Sequence, residues 1–373
     1  MKISILSVGP PYRGGISEQA SQLYSKLSET HDVNLINFKR QYPRILFPGK
    51  TQIESNPSTF IKKNHRIIDS INPYSWISTA KFIIKSAPDM MVIRFWNPFF
   101  SISNGYIIKK VKQALPKIKV IAICDNILPH ERRFIDRSLI KYLFNKIDGF
   151  IVMSDKVENE LLDLINHPRY KKTYHPVSFK ENDIKKIDAR EKLQIDKEKV
   201  ILFFGFIRKY KGLDVLIKST KYLNANLKGY KILICGECYE NKEKYLNLIS
   251  KHSTKDEIEW IDQYIPDELA KLYFSASDII VLPYKSASQS GVIPLSYSYN
   301  KPVIASNIPG IKEMIDDGRT GYLFNSNDEK DLSEKIINFF NSKIDYEVNI
   351  KKFKQQFSWD NFIEELLELY KSI

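Results

Sequence analysis

The stretch DIIVLPYKSASQSGVIPLSYSYNKPVIAS, residues 278–306, decides the fold class. An apolar strand-length run leads into a polar turn with one glycine, a helix-length segment follows, and a second apolar strand begins at Pro302. Such alternation predicts parallel β-α-β units, in which ligands bind beyond the carboxyl ends of the strands. The turn therefore predicts a binding site, although residues 285–291 contain no carboxylate.

The same alternation runs through the rest of the chain, and 373 residues predict two domains of ordinary size. We place them at residues 1–177 and 178–358, as two doubly wound α/β domains that face each other across a cleft. The predicted strands are Ile3–Ser7, Val33–Phe38, Met90–Phe95, Ile118–Cys124, Gly149–Met153, Val200–Phe204, Lys231–Cys235, Ile258–Ile261, Ile279–Pro283 and Val303–Ser306. The predicted helices are Ser17–Leu27, one near Ile107–Leu115, Asp155–Leu164, Gly212–Tyr222, Asp267–Phe274, Asp331–Phe340 and Trp359–Ile373. Residues 180–199 are expected to be a charged connector with little core.

Charge is unevenly distributed along the chain. The net charge of +13 arises from residues 1–180, which hold 28 Lys and Arg against 14 Asp and Glu, while the rest is close to neutral. Such a field attracts anions: an anionic membrane, a nucleic acid or a phosphate-bearing substrate.

The chain has three cysteines, which are too few for a disulfide scaffold and predict a reducing, cytoplasmic compartment. The sequence CGEC at 235–238 is interpreted as a turn at the end of a strand. No apolar run is long enough to predict a membrane-spanning helix.

Two stretches place anion-binding chemistry at strand ends. In SVGPPYRGGISEQASQL, residues 7–23, Gly14 and Gly15 precede a helix whose N-terminus suits an anion, although the dinucleotide pattern GxGxxG is absent. In LFFGFIRKYKGLDVLI, residues 202–217, Arg208 and Lys211 precede a helix and can neutralise a diphosphate. The alternative interpretation is a tight connector for the first stretch and a solvated basic turn for the second.

The chain resembles the family-4 glycosyltransferases of the GT-B fold. The residues that carry the resemblance are these two stretches, DQYIPDELAKLYFSASDIIVLPY (262–284), the opening turn and IPGIKEMIDDGRTGYLF (308–324). PPYRGGI, QYPRILFPGK and DNILPHERR are similar to the N-terminal half of the same family. The resemblance implies transfer of a sugar from a nucleotide-diphosphate sugar, with UDP or GDP as the expected nucleotide, with retained anomeric configuration and no cofactor or bound metal. It also implies that the second domain binds the donor, the first binds most of the acceptor, and residues 359–373 pack back on the first.

The opening turn departs from the usual family pattern. Two glutamates with seven residues between them occur in this family; here the first would fall at or near Ala287, and the second at or near Leu295, or at Ser296 after a one-residue slip. The chain resembles instead a branch with QSG in place of the first glutamate, so ribose and sugar recognition are expected from Gln289, Ser290, Ser296 or backbone. Phe206 occupies the usual arginine position, and Arg208 is expected to substitute for it.

Site residues are carried over position by position. The expected donor-binding residues are Gly14, Gly15, Arg208, Lys211, Glu237, Tyr264, Ile265, Gln289, Ser290, Gly291, Val292, Ser296 and Glu313. The expected catalytic residues are Asp125, His130, Arg208 and Lys211. The expected acceptor-binding residues are Arg44, Trp96, His130 and Glu131. Asp125 or His130 would orient the acceptor or act as its base, and Glu313 would touch the donor or cap a helix.

A glycan or lipid-linked acceptor is expected on the basic half. YIIKKVKQALPKIK (106–119), QYPRILFPGK (41–50) and RFWNPFF (94–100) combine basic, apolar and aromatic residues, which suits an anionic membrane surface. The protein would then be peripheral on the cytoplasmic face and act in cell-surface polysaccharide or glycolipid synthesis. Solvated lysines and core aromatics are the alternative explanation of these stretches.

Other functions remain open on the sequence alone. A nucleotide-sugar epimerase or a phosphorylase has the same fold, but no separate acid–base set or unusual length supports either. A nucleic-acid-binding protein would explain the charge, yet no zinc finger or RNP-type motif is present, so no specific nucleic acid is expected. The missing glutamates also allow an inactive family member.

Overall fold

The computed structural model of this chain describes residues 1–12, 14–43, 53, 61–128, 134–179, 184–252, 257–287 and 290–373. Their contacts divide the chain into two compact units. Unit 1 comprises Met1–Pro176 and Trp359–Ile373, and unit 2 comprises Val177–Ser358.

Unit 1 is built on a parallel sheet of seven strands within the described residues. The strands are β1 (Lys2–Leu6), β2 (Asp32–Arg40), β3 (Asn64–Asp69), β4 (Met90–Phe95), β5 (Lys119–Cys124), β6 (Gly149–Val152) and β7 (Tyr170–Lys172). Their order is β3-β2-β1-β4-β5-β6-β7, with Ile3 paired to Val33 on one side and to Met90 on the other. The order reverses direction between β1 and β4, which makes the ends of these strands the topological switch point of unit 1.

Helices cover both faces of this sheet. They are α1 (Gly15–Ser28), α2 (Pro73–Ser86), α3 (Ser101–Ala114), α4 (Asp136–Phe144) and α5 (Asp155–Leu164). Successive residues of β4 point to opposite faces: Met91 and Ile93 join one buried cluster, while Met90 and Val92 join the other. Because both faces are buried, the central strands are continuous apolar runs rather than alternating ones.

Unit 2 repeats the architecture with a parallel sheet of six strands in the part of the chain that is described. The strands are β8 (Lys199–Phe204), β9 (Tyr230–Cys235), β10 (Ile258–Ile261), β11 (Ile279–Leu282), β12 (Val303–Ser306) and β13 (Gly321–Phe324). The helices are α6 (Lys186–Lys192), α7 (Leu213–Asn226), α8 (Lys242–His252), α9 (Asp267–Ala276), α10 (Val292–Ser298), α11 (Glu329–Asn341) and α12 (Tyr346–Phe353). The strand order, β10-β9-β8-β11-β12-β13, reverses between β8 and β11, so the loops after these two strands are where a ligand is expected.

The last helix, α13 (Trp359–Ser372), returns to unit 1 and packs on α1, β6 and β7. Its buried residues follow a helical period: Trp359, Phe362, Leu366 and Leu369. On the exposed side of α13, Glu365 and Glu368 form ion pairs with Lys171 of β7 at 2.9 Å and 2.8 Å.

Candidate functional site

The loops after β8 and β11 contact each other at the switch point of unit 2. The Lys285 amide donates to the Tyr210 carbonyl at 2.7 Å. Gly212 has φ of +67°, and a Cβ at this position would lie 1.8 Å from the Pro283 carbonyl oxygen. Only glycine combines this left-handed conformation with so close a backbone approach. Gly212 therefore fixes the position of the lysine directly before it.

That lysine, Lys211, is buried and has no counter-charge among the residues that the structure describes. Its side chain is 9% exposed, its Nζ lies 5.5 Å from the centre of the Tyr284 ring, and the described residues offer it no ion-pair or hydrogen-bond partner. Burial, with a smaller effect from Arg208, lowers the pKa of the Lys211 ammonium to about 8. A buried cation without a partner is unfavourable unless a ligand supplies the opposite charge.

Lys301 provides the contrast within the same unit. Burial lowers its pKa to about 8 as well. Its ammonium, however, donates to the carbonyls of Ser275 at 3.0 Å and Ser277 at 2.7 Å. Lys301 is therefore satisfied by the fold, whereas Lys211 is placed for an anion.

Arg208 supplies a second cation on the same loop. It is exposed, and its guanidinium carbon lies 5.5 Å from the centre of the Tyr239 ring, within the range of a cation–π contact. The Arg208 carbonyl accepts from the Lys211 amide at 2.9 Å, which closes the turn that carries both residues. The predicted pair of cations is thus brought together at the carboxyl edge of the sheet.

The turn after β11 leads into α10. Ser290 is buried, and its hydroxyl oxygen accepts from the Val292 amide at 3.2 Å. Tyr284, whose pKa burial raises to about 12, hydrogen-bonds to Ser290 and so connects this turn to Lys211. Gly291 has an ordinary helical φ of −68°, and a Cβ there would meet nothing within 4 Å. The described residues thus leave the space over Gly291 open to a ligand.

The expected ribose contact at Ser296 is wrong. Its side chain is fully buried, and its hydroxyl donates to the Val292 carbonyl at 2.7 Å. Leu295 instead lines a cavity. Of the two positions expected for the second glutamate of the resembling family, Leu295 lines the cavity with an apolar side chain and Ser296 is buried away from it.

This cavity measures about 230 Å³ and lies at the carboxyl ends of β8, β9 and β10. The residues that line it are Phe204, Gly205, Phe206, Gly236, Glu237, Tyr264, Ile265, Asp267, Ala270, Lys271, Leu295 and Tyr299. Three of the predicted donor-binding residues, Glu237, Tyr264 and Ile265, are among them. Gly236 brings the β9 loop against the β8 loop, since a Cβ there would lie 2.2 Å from the Gly205 carbonyl oxygen.

Glu313 lies in a short 3-10 turn, Lys312–Met314. Its carboxylate accepts from the Gly310 amide at 3.3 Å. This contact agrees with the interpretation of Glu313 as a local cap.

In unit 1, Asp125 follows β5 and forms a buried ion pair. The Arg94 guanidinium donates to both of its carboxylate oxygens, with Nε at 3.0 Å from one of them. The side chains of Arg94 and Asp125 are only 3% and 8% exposed. Because both oxygens are engaged, the structure contradicts Asp125 as a free base for the acceptor.

His175 was not expected at this position. Its Nε2 lies 3.9 Å from the Asp125 carboxylate, and its side chain is 28% exposed. Burial lowers the pKa of His175; Asp125 raises it and Arg94 lowers it further. His175 is thus the accessible titratable group beside Asp125, and only its place after the last strand of the domain signals it in the sequence.

Of the other predicted unit 1 residues, Gly14 and Gly15 lie where α1 begins, with Gly14 at φ of +107° and open space around both. Trp96 follows β4, is partly buried, and donates from Nε1 to the Tyr42 hydroxyl at 3.3 Å. It packs on Phe38 and Phe100, so RFWNPFF belongs mainly to the core rather than to a membrane surface. Arg44, His130, Glu131 and Gln289 lie outside the described residues.

No helix in the described parts of the chain has the length and apolar character needed to cross a bilayer. No group of three or more His, Cys, Asp or Glu side chains is arranged there to hold a metal ion.

Comparison with known proteins connects this geometry to a family. Residues 185–357 match the family model described as "Glycosyl transferases group 1". An uncharacterized glycosyltransferase of Methanocaldococcus jannaschii is 24% identical over 384 residues, which cover 100% of this chain and 99% of that protein.

Solved structures show the same fold. A glycosyltransferase from Rickettsia africae superimposes with a TM-score of 0.70 at 19% identity, over 100% of this chain and 98% of that one. The Anabaena protein HepE in complex with UDP superimposes with a TM-score of 0.68 at 13% identity, over 100% of both chains. The predicted α/β GT-B fold with two Rossmann-like domains is confirmed. Residues 185–357 therefore resemble a group 1 glycosyltransferase domain, and the comparisons do not favour an epimerase or a nucleic-acid-binding protein.

Proposed function

We propose that this chain, a glycosyltransferase with a group 1 domain at residues 185–357, uses a nucleotide-diphosphate sugar as donor. The sugar would pass to a glycan or lipid-linked acceptor with retained anomeric configuration and without a bound metal. UDP or GDP is the proposed nucleotide. The observation that carries the proposal is Lys211, a buried ammonium that has no counter-charge among the described residues.

The chemistry of transfer explains why such a cation is needed. As the bond between the anomeric carbon and the diphosphate oxygen breaks, positive charge develops on the sugar ring and negative charge on the leaving diphosphate. A cation held in a site of low dielectric stabilises that developing negative charge more strongly than one in water. Lys211 would take this role, with Arg208 at the exposed edge and the amides at Ser290–Val292 beside it.

Retention fits attack on the same face from which the diphosphate leaves. The acceptor hydroxyl oxygen forms the new bond to the anomeric carbon, and its proton passes to an oxygen of the departing diphosphate. The proposal needs no enzymic carboxylate as nucleophile. It therefore agrees with a turn after β11 in which residues 285–287, 290 and 291 include no acid.

Ribose recognition would fall to acids on other elements. Leu295 occupies the position of the ribose-binding glutamate, but Glu237 and Asp267 line the same cavity. A carboxylate accepts two hydrogen bonds from a vicinal diol. We therefore assign the ribose hydroxyls to Glu237 or Asp267 in place of Ser296.

Donor binding is tested by thermal unfolding with a panel of UDP-, GDP-, ADP- and dTDP-sugars. A ligand that binds only the native state raises the melting temperature, and at about 100 times its dissociation constant the rise would be about 5 °C. We expect this for a UDP- or GDP-sugar. Absence of a shift with all four at saturating concentration would overturn the proposed donor class.

A membrane-facing surface would bring a lipid-linked acceptor to unit 1. Five exposed apolar residues lie within the first five residues of α2 or α3 or just before α4, and we call them the apolar rim: Tyr74, Ile77, Ile102, Phe134 and Ile135. These helices follow β3, β4 and β5, and α3 packs on both α2 and α4. The apolar rim is therefore near the carboxyl edge of the sheet, where Trp96 lies.

The charge of the three helices supports the same surface. Together α2, α3 and α4 contain seven Lys or Arg and a single acid, Asp136. Asp136 is buried, whereas Lys81, Lys109, Lys110 and Lys141 are exposed. Each basic residue near an anionic bilayer contributes roughly 1 kcal/mol of attraction, which salt screens.

Vesicle binding is therefore expected to need both anionic lipid and the apolar rim. The double variant Phe134→Glu, Ile135→Glu should lower affinity for anionic vesicles by about tenfold or more, since it removes buried apolar area and adds repulsion. Co-sedimentation at two salt concentrations measures this. Ile187→Glu, which changes an exposed residue of unit 2, should bind as the wild type does. Equal binding to neutral vesicles, or no binding, would contradict the membrane surface.

A further inference from the structure

A second cavity lies in unit 1, at the amino ends of β5, β6 and β7, and we call it the basal cavity. It measures about 360 Å³, which is within the range of roughly 300–1,000 Å³ typical of small-molecule sites. It is at the opposite edge of the sheet from Asp125, which follows the carboxyl end of β5. The residues that line it are Lys119, Phe144, Asn145, Ile147, Asp148, Phe150, Ile165, His167, Pro168, Arg169 and Ile373.

The floor of the basal cavity is apolar. Phe144 of α4 and Phe150 of β6 are buried, with ring centres 5.0 Å apart. Ile147 and Ile165 are partly buried and pack against the same core cluster. An apolar group that covers these two isoleucines would remove further apolar surface from water, which is favourable.

The polar wall carries two cations. Lys119 begins β5, and its ammonium has no ion-pair or hydrogen-bond partner among the described residues. Arg169 is exposed directly before β7, and its Nη1 donates to the Ser372 carbonyl at 3.1 Å. A guanidinium has five N–H donors, and in the described part of the chain Arg169 forms no ion pair with a carboxylate. Both residues therefore have donors available to a ligand.

The acidic side chain of this wall, Asp148, is already paired. One of its oxygens accepts from Lys112 Nζ at 2.7 Å, and the other accepts from the Val120 amide at 2.8 Å. Asp148 therefore does not neutralise Lys119 or Arg169. The side chains around the basal cavity carry more positive than negative charge, which favours an anion.

The end of α4 adds little repulsion to this field. Free carbonyls at a helix C-terminus disfavour an anion. Here the carbonyls of Leu143 and Phe144 accept from the amides of Lys146 and Ile147 at 2.9 Å and 3.0 Å. These carbonyls are thus engaged in a local turn, and the two cations dominate the charge of the wall.

We propose that the basal cavity binds a small amphipathic anion from solution. Its apolar part covers Ile147 and Ile165, and its carboxylate, sulfonate or phosphate group is held by Lys119 and Arg169. The apolar rim lies at the other edge of the sheet, so a bilayer at that rim leaves the basal cavity facing solution. The proposal does not depend on the donor class.

The test is a fluorescence titration of the full chain with 8-anilinonaphthalene-1-sulfonate, an anionic probe for apolar surface. Its neutral analogue, N-phenyl-1-naphthylamine, is the probe without charge. Lys119→Gln and Arg169→Gln should each weaken binding of the sulfonate by about tenfold, since each removes a charged hydrogen-bond donor. The neutral analogue should bind the wild type and Lys119→Gln alike. Asn145→Trp, which fills the cavity from the end of α4, should weaken binding of both probes.

Lys117→Gln is the matched control. Lys117 is exposed two residues before Lys119 and does not line the basal cavity, so this variant should bind the sulfonate as the wild type does. An absence of saturable binding to the wild type would overturn the site. Equal losses in Lys117→Gln and Lys119→Gln would do the same, because they indicate diffuse attraction. Unchanged binding in both Lys119→Gln and Asn145→Trp would place the probe elsewhere and also overturn it.

Two further comparisons test the chemical class of the ligand. The wild type should bind the sulfonate at least about tenfold more tightly than the neutral analogue, and equal affinities would overturn the recognition of an anion. Lys119→Gln should co-sediment with anionic vesicles as the wild type does. A loss of vesicle binding in this variant would assign Lys119 to a lipid headgroup and overturn the soluble source.

Discussion

Replacement of Lys211 by methionine is expected to lower the rate of sugar transfer by about 100-fold or more. Removal of one preorganised charge or donor that faces a developing anion has effects of this size. Methionine is similarly long and apolar, so it fills the buried space over Tyr284 without a cavity. The melting temperature of the ligand-free protein should not fall. The substitution removes a buried ammonium that has no counter-charge among the described residues and is therefore unfavourable in the folded state.

Lys209→Met is the matched control for this prediction. Lys209 lies in the same turn but is exposed, so its loss should change the transfer rate by less than about threefold. Steady-state kinetics with the donor identified by thermal unfolding compares the two variants. Similar rates for Lys211→Met and the wild type would remove Lys211 from the reaction.

Gly212→Ala is expected to have the largest effect on stability, a loss of about 3 kcal/mol or more in the free energy of unfolding of unit 2. An L-residue in the left-handed region costs about 1–2 kcal/mol. Here the new Cβ would also lie 1.8 Å from the Pro283 carbonyl oxygen, so the loops after β8 and β11 would have to separate. Donor binding should be lost together with stability.

Gly229→Ala isolates the contribution of the left-handed backbone conformation from that of the close contact. Gly229 has nearly the same φ, +69°, but a Cβ there would meet nothing within 4 Å. It should therefore cost only about 1 kcal/mol, from the backbone conformation alone. Urea unfolding of both variants measures the difference. Equal losses would show that the loops tolerate separation and that Gly212 does not fix the site.

Much of the architecture could be predicted from apolar runs. The central strands of both sheets are buried on both faces, and two of them, Met90–Phe95 and Val303–Ser306, were predicted with the observed ends, as was the edge strand Ile258–Ile261. Three edge strands were missed because they lack a continuous buried run: β3 and β7 are polar and partly exposed, and two of the four residues of β13 are only partly buried.

Several helices were also missed, for local reasons. Helix α2 has no acid and begins at a proline capped by Asn72, whose side chain accepts from the Tyr74 amide at 3.0 Å. Helix α6 lies in the stretch expected to be a charged connector, and its one buried residue is Ala189. Its Arg190 instead donates to Asp278 at 2.7 Å, a contact distant in sequence that no local pattern reveals.

The candidate site was predictable where a turn determines it and not where contacts between strands decide it. The pair Lys211-Gly212 marks the switch point because glycine is required there. Whether Leu295 or Ser296 faces the cavity depends on the rotation of α10, which the spacing to Lys301 left uncertain by one residue. The ion pair between Arg94 and Asp125 connects neighbouring strands, and its prediction would have required the register of β4 against β5.

The binding of a nucleoside diphosphate at Lys211 is tested most directly by proton uptake in calorimetric titrations at pH 8, in buffers of different ionisation enthalpy. In the free protein the Lys211 ammonium has a pKa of about 8, so it is about half protonated at this pH. An anion beside it raises that pKa, and binding should take up as much as about half a proton, with affinity falling as pH rises further. Lys211→Arg, which stays charged throughout, should bind without uptake. Wild-type binding with no proton uptake, or equal uptake by Lys211→Arg, would contradict the assignment of the donor diphosphate to Lys211.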